Sequence, residues 1–140
     1  WILAGAMFGI KICLSGPAEF SPSRKILDYL EKYKLPPTWE HQVDPKIAVQ
    51  NANILYTDVW VSMGCEEEAE ERKRLMSPYQ INQELLQIAG PDSILMHCMP
   101  THPGEEVSES VLASPQAILF DQAENRLHMQ KAILRQLTQS

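Results

Sequence analysis

Short apolar runs alternate along the chain with stretches of helical period. The runs "IKICLS" (10–15), "TWEHQV" (38–43), "ILYTDV" (54–59), "SILMHC" (93–98) and "QAILFD" (116–121) read as strands. Between them lie helical segments. "WILAGAMFG" is apolar and closes at Gly9, a natural helix-ending residue. In "SPSRKILDYLEKYK" (21–34), Ile26, Leu27, Leu30 and Tyr33 share one face. Ser21 is placed to cap that helix and Pro22 to open it. Asp44-Pro45 repeats the device before 44–52, and Ser77-Pro78 before 77–89, which ends at Gly90. The stretch 66–76 is charged almost throughout, and 123–137 is the last helix.

The strands are mostly continuous in apolar character rather than alternating. Strands of that kind are buried on both faces, as in a parallel sheet covered by helices. The pattern therefore predicts one α/β domain over 1–140: a doubly wound, mostly parallel, Rossmann-like sheet with helices on both faces. In such sheets ligands bind beyond the carboxyl ends of the strands. The polar residues there are those of 58–64, 97–106 and 121–126.

Composition narrows the function. The 140 residues are 44% hydrophobic and 21% charged, ordinary for a globular domain. A net charge of -6 and a pI near 5.2 argue against nucleic acid or an anionic membrane as partner. No apolar run approaches the roughly 18 residues of a membrane span, and no secretory signal is visible. Three cysteines in dissimilar contexts do not read as a disulfide framework, which predicts a reducing, cytoplasmic compartment. The chain opens on Trp1 and is apolar at once, which reads as the interior of a domain.

Asp58 ends an apolar strand four residues before Ser62. It can bond nearby backbone N–H groups as a turn residue, or face a cationic ligand. Gly64 lets backbone come close to that ligand, and Ser62 and the Met63 N–H offer neutral hydrogen bonds. In "HCMPTHPGEE" (97–106), His97, Cys98 and His102 raise the question of zinc, but their spacing matches no common structural zinc site. Cys98 reads either as a small buried hydrophobe or, at a strand end beside a proline turn, as a site residue. Arg126, near the start of the last predicted helix, fits an anionic ligand there, or a surface pair with Glu124 or Asp121. The run 66–74 places acid before base, with Glu68–Arg72 and Glu70–Arg74 at helical spacing, and reads as a solvated helix that can serve as a flap. No dinucleotide, P-loop or hydrolase motif is present.

Together "DVWVSMG", "EEEAEER", "PYQIN", "HCMP", "GEEV" and "QAENRLHMQKAIL" resemble the ornithine-binding half of the ornithine carbamoyltransferases, in order and spacing over nearly the whole chain. The resemblance implies transfer of a carbamoyl group from carbamoyl phosphate to the δ-amine of ornithine, giving citrulline and phosphate in arginine metabolism, with no metal or organic cofactor. It implies that Asp58 binds the ornithine amine as a desolvated counter-charge. Ser62 and Met63 would fix the amino-acid end of ornithine. Cys98 would lie beside the reacting amine, and Cys98, Met99 and Arg126 would meet carbamoyl phosphate. A cis Met99–Pro100 bond is implied too. So are a carbamoyl-phosphate domain and a first strand preceding Trp1, a homotrimer, and inactivity and poor stability of the chain by itself. Two departures are Met99, where the family usually has Leu, and Pro103, where it often has Arg. A transcarbamylase with another amine substrate and a non-catalytic amino-acid-binding module are the alternatives.

Overall fold

The structure, a computed structural model, describes residues 1–61 and 69–139. The chain divides into two compact units, Trp1–Gln50 and Asn51–Ser140.

The first unit runs α1 (Ile2–Phe8), β1 (Ile12–Ser15), a 3₁₀ turn (Ala18–Phe20), α2 (Arg24–Lys32), β2 (Trp39–Gln42) and α3 (Pro45–Ala48). β1 and β2 pair in parallel, Ile12 opposite Trp39 through Ser15 opposite Gln42. α1 ends as expected at Gly9, whose φ of 71° is left-handed. Gly5 lets α1 lie close to β1: a Cβ there would sit 2.7 Å from the Ile12 side chain and 2.8 Å from the Ile10 carbonyl oxygen. Asp44 caps α3, its carboxylate accepting from Lys46 N at 2.8 Å, with Pro45 as the first helical residue. The start of α2 differs from expectation. Ser23, not Ser21, precedes the helix, and Pro22 lies outside it. Ser21 is already engaged, its hydroxyl donating to the Ala18 carbonyl of the preceding 3₁₀ turn at 2.7 Å.

The second unit runs β3 (Ile54–Thr57), α4 (Ala69–Met76), a 3₁₀ turn (Ser77–Tyr79), α5 (Gln83–Ala89), β4 (Ile94–His97), α6 (Glu109–Leu112) and α7 (Leu119–Thr138). β3 and β4 pair in parallel from Ile54–Ile94 to Thr57–His97. Its core gathers Leu55, Leu85, Leu86, Leu95, Val107, Val111 and Leu119, with Leu95, Val107 and Val111 fully buried.

The α/β class with parallel strands stands, but the ladders among the described residues are two sheets of two strands each. Burial on both faces does not hold throughout: Cys13, Ser15 and Ile54 are exposed. The expected strand 116–121 shrinks to a single bridge, Leu95 opposite Ala117. Leu95 N donates to the Gln116 carbonyl and Ile118 N to the Leu95 carbonyl, after which α7 begins and removes the rest of the segment from pairing. The expected helix 77–89 is split. Ile81 is drawn into a bridge with Val107, and α5 restarts behind Asn82, whose side chain accepts from Leu85 N at 3.1 Å. No helix among the described residues is long and apolar enough to cross a membrane.

Leu95 holds pairing on both edges of β4 and is fully buried. Leu95→Ala is expected to cost about 2–5 kcal/mol. Urea denaturation would read this as a lower midpoint at unchanged slope; a loss under about 1 kcal/mol would contradict the assigned core.

Candidate active site

Register places the candidate residues. β3 and β4 run parallel and end on the Thr57–His97 pair, so Asp58 and Cys98 are the first residues beyond the carboxyl ends of neighbouring strands. They meet there. The Cys98 thiol donates to Asp58 Oδ1 at 2.9 Å. The same oxygen accepts from Val59 N at 2.7 Å, so Asp58 is both a turn residue and a site residue. Among the described residues the carboxylate is exposed, because the strands stop just before it.

The thiol responds to its surroundings. Burial pushes the Cys98 pKa up, and the adjacent Asp58 carboxylate pushes it further, while a hydrogen bond from Tyr56 works the other way. Burial, then the bond to Cys98, raises the Tyr56 phenol. The arrangement holds a neutral thiol beside a carboxylate rather than a ready-made thiolate nucleophile.

β4 ends sharply. Met99 takes a left-handed φ of 60° and the Met99–Pro100 peptide is cis, as the resemblance implied. Met99 N donates to His97 Nδ1 at 2.9 Å, which leaves the ring proton to Nε2. That nitrogen lies 3.3 Å from Glu106 Oε1, and both side chains are fully buried. Glu106 Oε1 also accepts from His102 N at 2.6 Å, which folds 102–106 back under the turn. Glu106 is the residue that sequence reasoning missed. A glutamate beside Glu105 in a polar stretch carries no mark of burial.

The segment from α4 to Gln80 is tied to the same loop. Lys73 pairs with Glu105 at 2.7 Å, and Gln80 Nε2 donates to the Gly104 and Glu105 carbonyls, each at 2.8 Å. The expected Glu70–Arg74 pair is not formed among the described residues. Glu68, together with Ser62, Met63 and Gly64, lies outside them.

Arg126 is the eighth residue of α7 (Leu119–Thr138), because the helix begins earlier than its polar pattern suggested. The helix dipole has faded at that depth, so the first-turn argument lapses. Arg126 is exposed and makes no hydrogen bond or ion pair among the described residues; Glu124 pairs instead with His128 at 3.3 Å. The trio His97, Cys98 and His102 does not assemble as a metal site among the described residues. His102, Glu105 and Glu106 do bring ligand atoms within 4.8 Å of one another; Lys73 already pairs with Glu105, the His102 N–H takes Glu106 Oε1, and Glu106 Oε2 is buried without a partner among the described residues.

Residues 1–137 match the family described as aspartate/ornithine carbamoyltransferase, Asp/Orn binding domain. The chain is 44% identical over 135 residues to an ornithine carbamoyltransferase of Thermococcus kodakarensis, covering 95% of this chain and 43% of that protein. It is 46% identical over 134 residues to one from Synechocystis, with 95% and 44% covered. Among solved structures it is similar to the ornithine carbamoyltransferase of Pyrococcus furiosus, at 43% identity and a TM-score of 0.83 over 95% of this chain and 43% of that one. The anabolic enzyme of Campylobacter jejuni superposes at a TM-score of 0.90 and 30% identity, with 99% and 46% covered. The chain thus spans less than half the length of these relatives.

The buried Glu106 and the half-exposed Lys73 are expected to behave differently on removal. Glu106→Ala should lower stability by about 1–3 kcal/mol, because it leaves the His102 N–H without its acceptor. Lys73→Met should leave the urea midpoint where it is. Equal effects would show that the buried acceptor adds nothing to the turn.

Proposed function

The chain belongs to the aspartate/ornithine carbamoyltransferase family, matching its Asp/Orn-binding domain over residues 1–137, and from that premise we propose that it is the ornithine-binding part of an ornithine carbamoyltransferase. The single observation that carries the reading is the Cys98–Asp58 contact at the carboxyl end of β4, inside the matched region. The names of the relatives favour ornithine over aspartate as the amine.

The reaction is carbamoyl transfer to the ornithine δ-amine. The amine nitrogen bonds to the carbonyl carbon of carbamoyl phosphate, the bond from that carbon to the phosphate oxygen breaks, and the amine gives up a proton. Citrulline and phosphate leave. Asp58 would attract the arriving ammonium, and Cys98 beside it would orient the nitrogen once it is neutral. The raised thiol pKa supports this role over covalent catalysis, because the thiol stays protonated while the amine attacks. Ser62 and Met63 would hold the amino-acid end. Cys98, Met99 and Arg126 would meet carbamoyl phosphate, and the exposed Arg126 guanidinium is available to charge that develops on the leaving phosphate. Holding two substrates in line supplies much of the remaining acceleration.

Such an enzyme needs a carbamoyl-phosphate-binding partner half, and a homotrimer whose neighbours complete each site fits the reading. Its chemistry needs no metal or organic cofactor, and a place in arginine metabolism and in the cytoplasm follows.

Asp58→Asn is expected to keep the fold and weaken ornithine binding by about 1.5–3 kcal/mol, roughly 10- to 150-fold in Kd. Isothermal titration of ornithine, with and without carbamoyl phosphate, reads it; an unchanged affinity would sink the assignment. Binding of ornithine without any citrulline formation would leave a binding module. Cys98→Ser is expected to lower turnover without moving the thermal transition. Full activity in that variant would remove the thiol from the mechanism.

A further inference from the structure

His97 closes β4 one residue before Cys98, and its side chain is fully buried. Its backbone N donates to Gln122 Oε1 of α7 at 2.8 Å, which anchors the strand end. Its ring Nδ1 accepts from Met99 N at 2.9 Å. Its Nε2 lies 3.3 Å from Glu106 Oε1, near enough for the carboxylate to favour the ring proton there, although the angle leaves Nε2 without a formed hydrogen bond among the described residues. The Met99 contact matters most for the site. Met99 holds a φ of 60°, where a residue other than glycine stays only if its surroundings keep it there. The His97 ring is the one partner of the Met99 N–H among the described residues. A peptide is a rigid plane, so a bond that holds its N–H holds its carbonyl as well. The plane held here joins Cys98, whose thiol donates to Asp58 Oδ1 at 2.9 Å, to Met99. Those are two of the residues that the proposed function sets against the substrates.

We propose that His97 is a positioning residue for carbamoyl transfer: its ring, steadied by Glu106, holds the Met99 N–H and so sets the Cys98–Met99 peptide where the substrates meet. The role in turnover rests on the carbamoyltransferase reading, whereas the clamp on the peptide does not. Nδ1 accepts only while it carries no proton, and a carboxylate beside Nε2 favours that tautomer. Being fully buried, His97 acts through the peptide and does not itself reach a substrate.

Two substitutions separate the two ring nitrogens. His97→Asn puts an amide oxygen at the depth of Nδ1 and keeps an acceptor for the Met99 N–H. His97→Gln puts its amide at the depth of Nε2 and removes that acceptor. With the carbamoyl-phosphate half present, His97→Gln is expected to lower kcat for citrulline formation about two- to tenfold, the effect of one lost hydrogen bond, and His97→Asn to retain more of it. The KM for ornithine should hold in both, because Asp58 is fixed by its own strand and by Val59 N. A role in stability alone predicts the opposite order, since the shorter Asn leaves the larger cavity at a buried position. Equal kcat values, a lower kcat in His97→Asn, or a changed KM with kcat unmoved overturn the proposal. Hydrogen exchange reads the clamp without activity, and Pro100, which has no N–H, helps to isolate Met99. The Met99 N–H should exchange faster in His97→Gln than in His97→Asn; equal rates overturn the clamp. If the rates differ but Asp58→Asn leaves ornithine affinity intact, the function reading fails and the clamp stands. Glu106→Gln decides if neither histidine variant folds. It keeps an acceptor for the His102 N–H but removes the charge beside Nε2, and should quicken Met99 exchange and lower kcat together. Quickened exchange at full kcat, or unchanged exchange, overturns the proposal.

Discussion

Parallel pairing of β3 with β4 is the constraint on which the site depends. Two strands that run side by side in the same direction release their next residues at the same level, here Asp58 and Cys98. Neither is close to the other in sequence, and no local preference joins them. β4 is held in turn by Leu95, which pairs with Leu55 on one edge and brackets Ala117 with two hydrogen bonds on the other. Because Leu95 is fully buried, a shift of register would expose it and bury a neighbour that packs less well. Hydrophobic burial at one position thus sets the distance between a thiol and a carboxylate three residues further along.

Beyond the strand ends the chain relies on polar contacts of two kinds. His97 and Glu106 are buried together, and each also binds backbone, so they hold the turn from Met99 through 106 in one shape. Lys73 and Glu105 meet nearer the solvent, where water competes with the pair. The first contact defines the geometry on which Cys98 stands. The second ties α4, which follows the 62–68 segment, to that geometry.

The electrostatics of the site are balanced rather than extreme. An exposed carboxylate and a thiol kept neutral beside it make a surface that suits a cation and does not itself attack. That suits the proposed reaction, in which the substrate amine is the nucleophile and the protein supplies orientation.

The sequence by itself determined the class of fold, because continuous apolar runs separated by helical segments have few other ways to bury themselves. It also determined the caps that use only neighbouring residues, such as Gly9, Asp44 with Pro45, and Gly90, since their physics is local. Asp58 and Cys98 were legible separately as strand-end residues, and the family resemblance pointed to each. Tertiary structure decided what depends on distant partners. It reduced 116–121 to one bridge, because Leu95 offered only two hydrogen bonds before α7 began. It moved the start of α2, because a neighbouring turn had taken Ser21. It buried Glu106 beside His97, and it brought Gln122 of α7 to the backbone N–H of His97. Burial and hydrogen-bond direction belong to pairs of residues, and a sequence names the residues without naming the pairs.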